Sequence, residues 1–257
     1  MQEKRKYSLG TVNKAMAVLD LFKSYKTLGI TEISKYLSMN KSNAYRIVIT
    51  LEDWGYLEKT AGQKYCLGIA LAFLGTLVLE RQEIIPITRP FLEELKNIHN
   101  ETTHLAVLTS DRKVTFLLKE KAEHSIQMDS TIGLKMPLYL TANGKVLLAF
   151  SDEAFIESYI DEIKLIKKTA NTVVLKTELR KSLLEIQKNG FGIDNEESEL
   201  GLVCYAAPIR NMTGKVIASI SMSGPAFRMT KNKDARVDAV KSTANQISKM
   251  LGYVIPG

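Results

Sequence analysis

The 257-residue chain reads as α+β: a short basic helical unit stands ahead of a longer unit that mixes helices with antiparallel strands. Three observations carry this. Charge is uneven, because residues 1–66 hold 11 Lys and Arg against 6 Asp and Glu, a net +5, while the other 191 residues hold 24 against 22. Apolar spacing is helical up to His99 and then changes to short alternating runs around polar turns. The 45% hydrophobic and 25% charged content is that of a globular chain with a core, not of a disordered one.

In the basic unit, Val12, Ala15, Met16, Val18, Leu19 and Phe22 follow helical spacing from Thr11, with Thr11 or Asn13 as the expected cap. Leu28-Gly29-Ile30 breaks that helix. Thr31 then stands where an N-cap is expected, ahead of a short helix with Ile33, Tyr36 and Leu37 inward. After the turn Ser38-Met39-Asn40, a third helix is expected from about Lys41 to Trp54. Ala44, Ile47, Val48 and Leu51 form its buried stripe and Gly55 its stop. Its other face is Lys41, Ser42, Asn43, Tyr45, Arg46 and Thr50. Tyr56–Lys59 and Lys64–Leu67 flank Thr60-Ala61-Gly62-Gln63 as a small hairpin.

This order, helix, short helix, turn, helix and hairpin, is that of a winged helix-turn-helix over residues 1–67, whose second motif helix enters a DNA major groove. Arg46 is the candidate for a guanine edge or a phosphate, and Lys59 and Lys64 for phosphates. A helical subdomain with a solvated polar face would show the same lysines, so charge alone leaves both readings open.

Residues 68–82 are apolar on more than one helix face, with Leu71, Leu74, Val78 and Leu79 beyond what a small domain covers; a linker helix and a dimer or dimer of dimers are expected. The remainder, 83–257, opens with a helix of about Ile87 to His99 in which Pro90 is tolerable only near the first turn. Thr103–Thr109 and Lys113–Lys119 form a hairpin around Ser110-Asp111-Arg112. Ser125 to Leu140 reads as a loop with apolar residues to bury. Helices are expected at about Ala142–Phe150, Glu153–Ile160 and Lys176–Asn189, strands at Cys204–Arg210 and Lys215–Ser223, and a last helix at Asp234–Leu251.

The run Lys41-Ser42-Asn43-Ala44-Tyr45-Arg46, followed by Thr50-Leu51 and Gly55-Tyr56, resembles the recognition-helix pattern of the IclR family of bacterial and archaeal transcription regulators. Pro137-Leu138-Tyr139-Leu140-Thr141-Ala142-Asn143-Gly144-Lys145 through Ala149 resembles the same family's effector domain. So does Gly190-Phe191-Gly192-Ile193-Asp194-Asn195-Glu196-Glu197, through Gly201, Cys204 and Ala206-Ala207-Pro208 to Ser221-Met222-Ser223-Gly224-Pro225. The chain departs from the pattern at Asn40, where proline is frequent, and at Asn195, where a second aspartate is usual. The resemblance implies a winged helix on a palindromic operator, a linker helix and a GAF-like C-terminal domain, an antiparallel sheet flanked by helices, that binds a small metabolite. By residue matching, the ligand positions fall on the backbone N–H groups of Ala142 and Asn143 and on the side chains of Asp194, Cys204, Ser221 and Ser223. Met128, Leu134 and Met136 supply an apolar wall.

Ser219, Ser221 and Ser223 share one face of a strand by period 2, either lining a pocket or facing solvent. Thr141-Ala142-Asn143-Gly144 opens a helix, whose first N–H groups suit an anion. Together these point to a small organic acid, and Asp194 then favours a ligand hydroxyl over a second carboxylate. Cys204 reads as a buried, inert thiol. A Cys/His or Ser/His hydrolase using His99, His104 or His124 lacks any nucleophile-elbow or metal-ligand spacing, so no enzyme, cofactor or metal is expected. A winged-helix adaptor answering to a protein partner stays the alternative. Cys66 and Cys204 are too few and too far apart for a disulfide framework. No apolar run reaches the ~20 residues of a membrane span, and the basic start Met1 to Lys6 leads into an amphipathic pattern, so a cytoplasmic protein without membrane contact is expected.

Overall fold

The computed structural model of the chain describes residues 9–80, 84–125 and 130–254, apart from the side chains of 78–80. It divides into two compact units, Met1–Gln82 and Glu83–Gly257. The first holds α1 (Gly10–Leu21), α2 (Ile30–Tyr36), α3 (Lys41–Asp53), an antiparallel hairpin of β1 (Leu57–Lys59) and β2 (Tyr65–Leu67), and α4 (Ile69–Glu80). Val18, Leu28, Ile33, Ala44, Ile47, Val48, Leu51, Leu57 and Tyr65 close one core. The hairpin is tied to the helices by paired backbone bonds between Leu28 and Tyr65, 2.8 and 3.0 Å.

Two expected caps are corrected. Neither Thr11 nor Asn13 starts α1, which begins at Gly10 behind Leu9 with no side-chain cap. Thr31 does not cap α2: the cap is Gly29, two residues earlier, and its N–H donates to Glu32 Oε2 at 2.7 Å as the glutamate side chain reaches back from the first turn. At α3 the cap is Asn40, accepting from Asn43 N–H at 2.8 Å. An asparagine at this position therefore caps the helix through its side chain, which proline could not do. Gly55, at φ +70°, ends α3 in the left-handed region.

The second unit contains a six-stranded antiparallel sheet in the order β5-β4-β3-β8-β7-β6. Its strands are β3 (Thr102–Leu108), β4 (Lys113–Glu120), β5 (Lys135–Pro137), β6 (Gly192–Asn195), β7 (Leu202–Arg210) and β8 (Val216–Pro225). Its helices are α5 (Ile84–His99), α6 (Ala142–Ala149), α7 (Glu153–Glu162), α8 (Lys176–Asn189), α9 (Ala226–Met229) and α10 (Lys233–Met250). Alternation along β7 and β8 assigns the two faces. Tyr205 and Met222 point to α9 and α10, through Tyr205 Oη donating to Met229 O and Arg236 reaching Met222 Sδ. Ala206, Ser221 and the paired Gly192 point to α6, where a Cβ on Gly192 would lie 2.9 Å from Val146 Cγ2.

Three expectations change here, and two elements are new. The helix expected from Ile87 begins at Ile84, so Pro90 sits in its second turn. That removes one ladder donor, which burial of Ile84, Ile85, Leu92 and Leu95 offsets. Part of the expected loop of 125–140 is ordered as the short edge strand β5 and a 3₁₀ turn, Leu138–Leu140, whose side chains are buried. Strand β6 and helix α9 had no sequence expectation; at four residues each they are too short for periodicity to register. Strand β7 begins at Leu202 and β8 ends at Pro225, each two residues beyond the expected bound, and the sheet register makes Asp194, Cys204, Ser223 and Thr102 neighbours in one row across four strands.

Candidate nucleic-acid interface and effector cavity

On the first unit, the outer face of α3 presents Lys41, Ser42, Tyr45, Arg46 and Thr50 as exposed side chains and Asn43 half-buried. The fold places them there because Ala44, Ile47, Val48 and Leu51 hold the opposite stripe in the core. A cleft of about 250 Å³ separates α1 from α3, lined by Thr11, Lys14 and Ala15 on one side and Asn43, Arg46, Ile47, Thr50 and Leu51 on the other. Lys14 is a second cation facing this cleft that the sequence left unnoticed, since its relation to Arg46 depends on how α1 packs on α3. Lys59 and Lys64 are exposed on the hairpin. Lys64, a candidate phosphate contact, is paired with Glu32 Oε1 at 3.1 Å. The Gly29 N–H and Lys64 together hold the Glu32 carboxyl below its usual range.

On the second unit, a cavity of about 160 Å³ opens over the row Asp194, Cys204 and Ser223. Phe116, Ser130, Leu134 and Met136 line one side, Thr141, Ala142 and Asn143 the helix start, and Ser198, Glu199 and Leu202 the other side. Thr141 caps α6, accepting from Gly144 N–H at 3.0 Å, while its carbonyl accepts from Lys145 N–H at 2.9 Å. The N–H groups of Ala142 and Asn143, ahead of these, are the ones a helix leaves without a partner of its own. Gly144 is required here: a Cβ would fall 2.4 Å from Leu138 O, so only glycine lets the helix start lie against the 3₁₀ turn.

The three serines of β8 are buried, which removes the solvent-facing reading of that strand face. Their roles divide. Ser219 Oγ donates to Asn143 Oδ1 at 2.8 Å, and Asn143 Nδ2 donates to Ser221 Oγ at 2.7 Å. These two hydroxyls fasten the helix start to the sheet. Ser221 is not among the cavity-lining residues, whereas Ser223 is. The structure thus brings Ala142, Asn143, Asp194, Cys204, Ser223, Leu134 and Met136 together and leaves Ser221 bonded to Asn143. Met128 lies outside the described residues.

Asp194 is buried, and burial pushes its carboxyl up while the Ser198 hydroxyl, Lys145 and the Glu197 N–H pull it down. Oδ1 accepts from the N–H groups of Glu197 (2.8 Å) and Ser198 (3.2 Å), and Oδ2 from Ser198 Oγ (2.5 Å). Beside it, Lys145 Nζ and Glu197 Oε1 form a buried ion pair at 2.5 Å. This pair escaped sequence reading. The only signal for it was a lysine directly ahead of the apolar run Val146–Ala149. Burial, and then the nearby Asp194, drive the Cys204 thiol far above its ordinary range, so it is not a nucleophile. Among the described residues no cluster of metal-ligating side chains exists, and no helix is long and apolar enough to cross a membrane.

Known proteins bear on both sites. Residues 11–61 match the IclR helix-turn-helix domain, and residues 76–249 match the C-terminal domain of the bacterial transcriptional regulator IclR. The HTH-type transcriptional regulator KdgR of Dickeya chrysanthemi is 33% identical over 253 residues, 98% of this chain and 83% of that protein. The crystal structure of Thermotoga maritima IclR superposes with a TM-score of 0.82 at 34% identity, covering 96% of this chain and all 100% of the other. An IclR homologue from Microbacterium hydrocarbonoxydans, crystallised with 4-hydroxybenzoate, shares the fold at a TM-score of 0.82 and 23% identity, over 94% of this chain and 99% of the other. The chain belongs to the IclR family, and is therefore a DNA-binding transcriptional regulator and not an enzyme.

Proposed function

We propose that the protein is a cytoplasmic, ligand-responsive repressor of a catabolic operon. In this reading residues 1–67 bind a palindromic operator through α3 and the hairpin, residues 68–82 link and dimerise, and residues 83–257 take a small organic acid. The observation that carries it is the helix start of α6 opening on a largely apolar cavity with a few polar groups, where the N–H groups of Ala142 and Asn143 would meet a ligand carboxylate and Asp194, Cys204 and Ser223 would face the remainder. The volume of about 160 Å³ is close to the ~150 Å³ that accommodates benzene, which suits acids of that size class. The 4-hydroxybenzoate complex of the Microbacterium homologue supports the same class.

Dimerisation draws support from α4, which exposes Ile69, Phe73, Leu74 and Leu77; Leu71 is half-buried, and the side chains of Val78 and Leu79 are outside the described residues. Two copies on a palindrome would set their recognition helices about 34 Å apart. A thermal-shift screen of small organic acids tests the ligand class, since an acid that binds only the folded state raises apparent stability by RT ln(1 + [L]/Kd). The expected result is a rise with at least one monocarboxylate and none with its amide. No rise with any acid at millimolar concentration overturns the acid site.

A further inference from the structure

The hydrogen-bonding capacity around the cavity is unequal at its two ends. At the β6 end Asp194 is already occupied, accepting two N–H groups and one hydroxyl. At the other end lies His104 on β3, fully buried on the cavity face of the sheet, in register with Ser221 on one side and Lys119 on the other. Its ring packs on Phe116, a lining residue, with centroids 4.8 Å apart. Its Nε2 bonds Ser130 Oγ at 2.6 Å, and Ser130 lines the cavity. Its Nδ1 is buried with no hydrogen-bond partner. Lys119 Nζ donates to the Ser130 carbonyl at 2.8 Å, fixing the backbone that carries the hydroxyl.

The protonation of this pair follows from cost. With a ligand acceptor oxygen beside Ser130, a proton on Nε2 leaves only the Nδ1 lone pair bare, whereas a proton on Nδ1 leaves both that N–H and the ligand oxygen unpaired, so the bound state favours the neutral imidazole protonated on Nε2. Nε2–H then donates to Ser130 Oγ, and the Ser130 hydrogen is left to find an acceptor. No acceptor for it is present among the described residues.

We infer that Ser130, positioned by His104, is a specificity-determining residue whose hydroxyl donates to an uncharged acceptor oxygen, carbonyl or hydroxyl, on the effector, separate from its carboxylate. The inference rests on the acid site proposed above and refines it. The oxygen is uncharged because a neutral imidazole and a hydroxyl carry no counter-charge for a second buried carboxylate, and Lys119, the cation beside them, bonds the Ser130 carbonyl and is not among the cavity-lining residues. Ser130 touches the ligand in this arrangement; His104 acts through it.

Calorimetry on the full chain decides this with acid pairs that differ only in the uncharged oxygen: 4-oxopentanoate against pentanoate, 4-hydroxybenzoate against benzoate, and 6-hydroxyhexanoate against hexanoate. The expected result is that wild type binds the oxygen-bearing member of at least one pair about tenfold tighter, because its absence leaves a buried donor unpaired. Ser130→Ala and His104→Phe should each bring that ratio to within about twofold, and Ser130→Thr should restore it. A ratio near one in wild type, or a ratio retained in Ser130→Ala, overturns the inference and leaves the acid site standing. Failure of wild type to bind any of the six acids overturns the acid site and the inference with it. If His104→Phe does not fold, the Ser130 pair of variants carries the test alone.

Discussion

Arg46 on α3 and Lys145 on α6 are both helical cations, yet they occupy opposite environments. Arg46 is exposed, beside a cleft, with no carboxylate paired to it among the described residues. Lys145 is 2% exposed and bonded to Glu197, one turn from the helix start that faces the cavity. The first is held in water at little cost and is free to meet a partner. The second has lost its hydration and is held by one specific carboxylate, so its loss is felt by the whole unit. The comparison separates residues that act on a ligand from residues that maintain the place where a ligand sits.

The largest expected effect tests the buried side. Lys145→Ala should destabilise the protein by about 3–5 kcal/mol, because Glu197 would be left buried and uncompensated. Glu197 Oε2 already has no hydrogen-bond partner, so no spare donor waits to take over. The double variant Lys145→Met, Glu197→Leu should recover much of that loss, since it removes both charges. Denaturant midpoints of the three proteins check this. A single variant as stable as wild type would mean that Lys145 is not an effective structural cation.

Next in size is the pH response of His104. Burial, reinforced by Lys119, holds its imidazole down to about 3, so it is neutral in the fold, while the unfolded side chain titrates near 6.5. Below pH 6.5 the unfolded chain takes up a proton that the folded chain does not. Stability therefore rises with pH across this window and is lost as pH falls, with a slope of up to about 1.4 kcal/mol per pH unit. Burial lowers His99 as well, and it contributes with the same sign. The measurement is thus a difference: between pH 6.5 and 5, His104→Gln should lose stability less steeply than wild type. Equal slopes would place the imidazole in water.

How far each region was legible follows from the same contrast. The polar face of α3 could be read from the sequence because helical spacing alone separates Ala44, Ile47, Val48 and Leu51 from Lys41, Arg46 and Thr50. Alternation along β8 likewise put Ser219, Ser221 and Ser223 on one face. Neither pattern could say that Asn143, some 76 residues earlier than Ser219, would absorb two of the three hydroxyls. Lys145–Glu197 and His104–Ser130 are pairings across chain separations of 52 and 26 residues, created by sheet order and by loops that no local period encodes. Asp194 was visible as a site residue only through family resemblance. Its three donors come from the turn after β6, a strand too short to be anticipated.

On the exposed side, Arg46→Ala should leave the denaturant midpoint nearly unchanged while weakening DNA binding. If Arg46 reads a base, the loss is about 1–3 kcal/mol and preference relaxes at one operator position; if it clamps a phosphate, all sequences weaken alike. Mobility shifts against the region upstream of its own gene, with a randomised duplex as control, distinguish these. Binding equal to wild type on both duplexes would remove α3 from the interface.

The smallest effect separates the two hairpin lysines. Lys59 has no ion pair with a carboxylate among the described residues, whereas Lys64 is bonded to Glu32. A lysine already neutralised releases fewer counterions on meeting a phosphate, so Lys59→Ala should lower the salt slope of log K by about 0.9 and Lys64→Ala by less. Glu32→Gln sharpens the comparison. Its amide oxygen can still accept from Gly29 N–H and keep the start of α2, while the charge that holds Lys64 is gone. Freed, Lys64 should steepen the slope by up to about 0.9 and tighten binding at low salt. An unchanged slope in Glu32→Gln would show that Lys64 lies off the path of the DNA backbone, and that the hairpin meets the duplex through Lys59 alone.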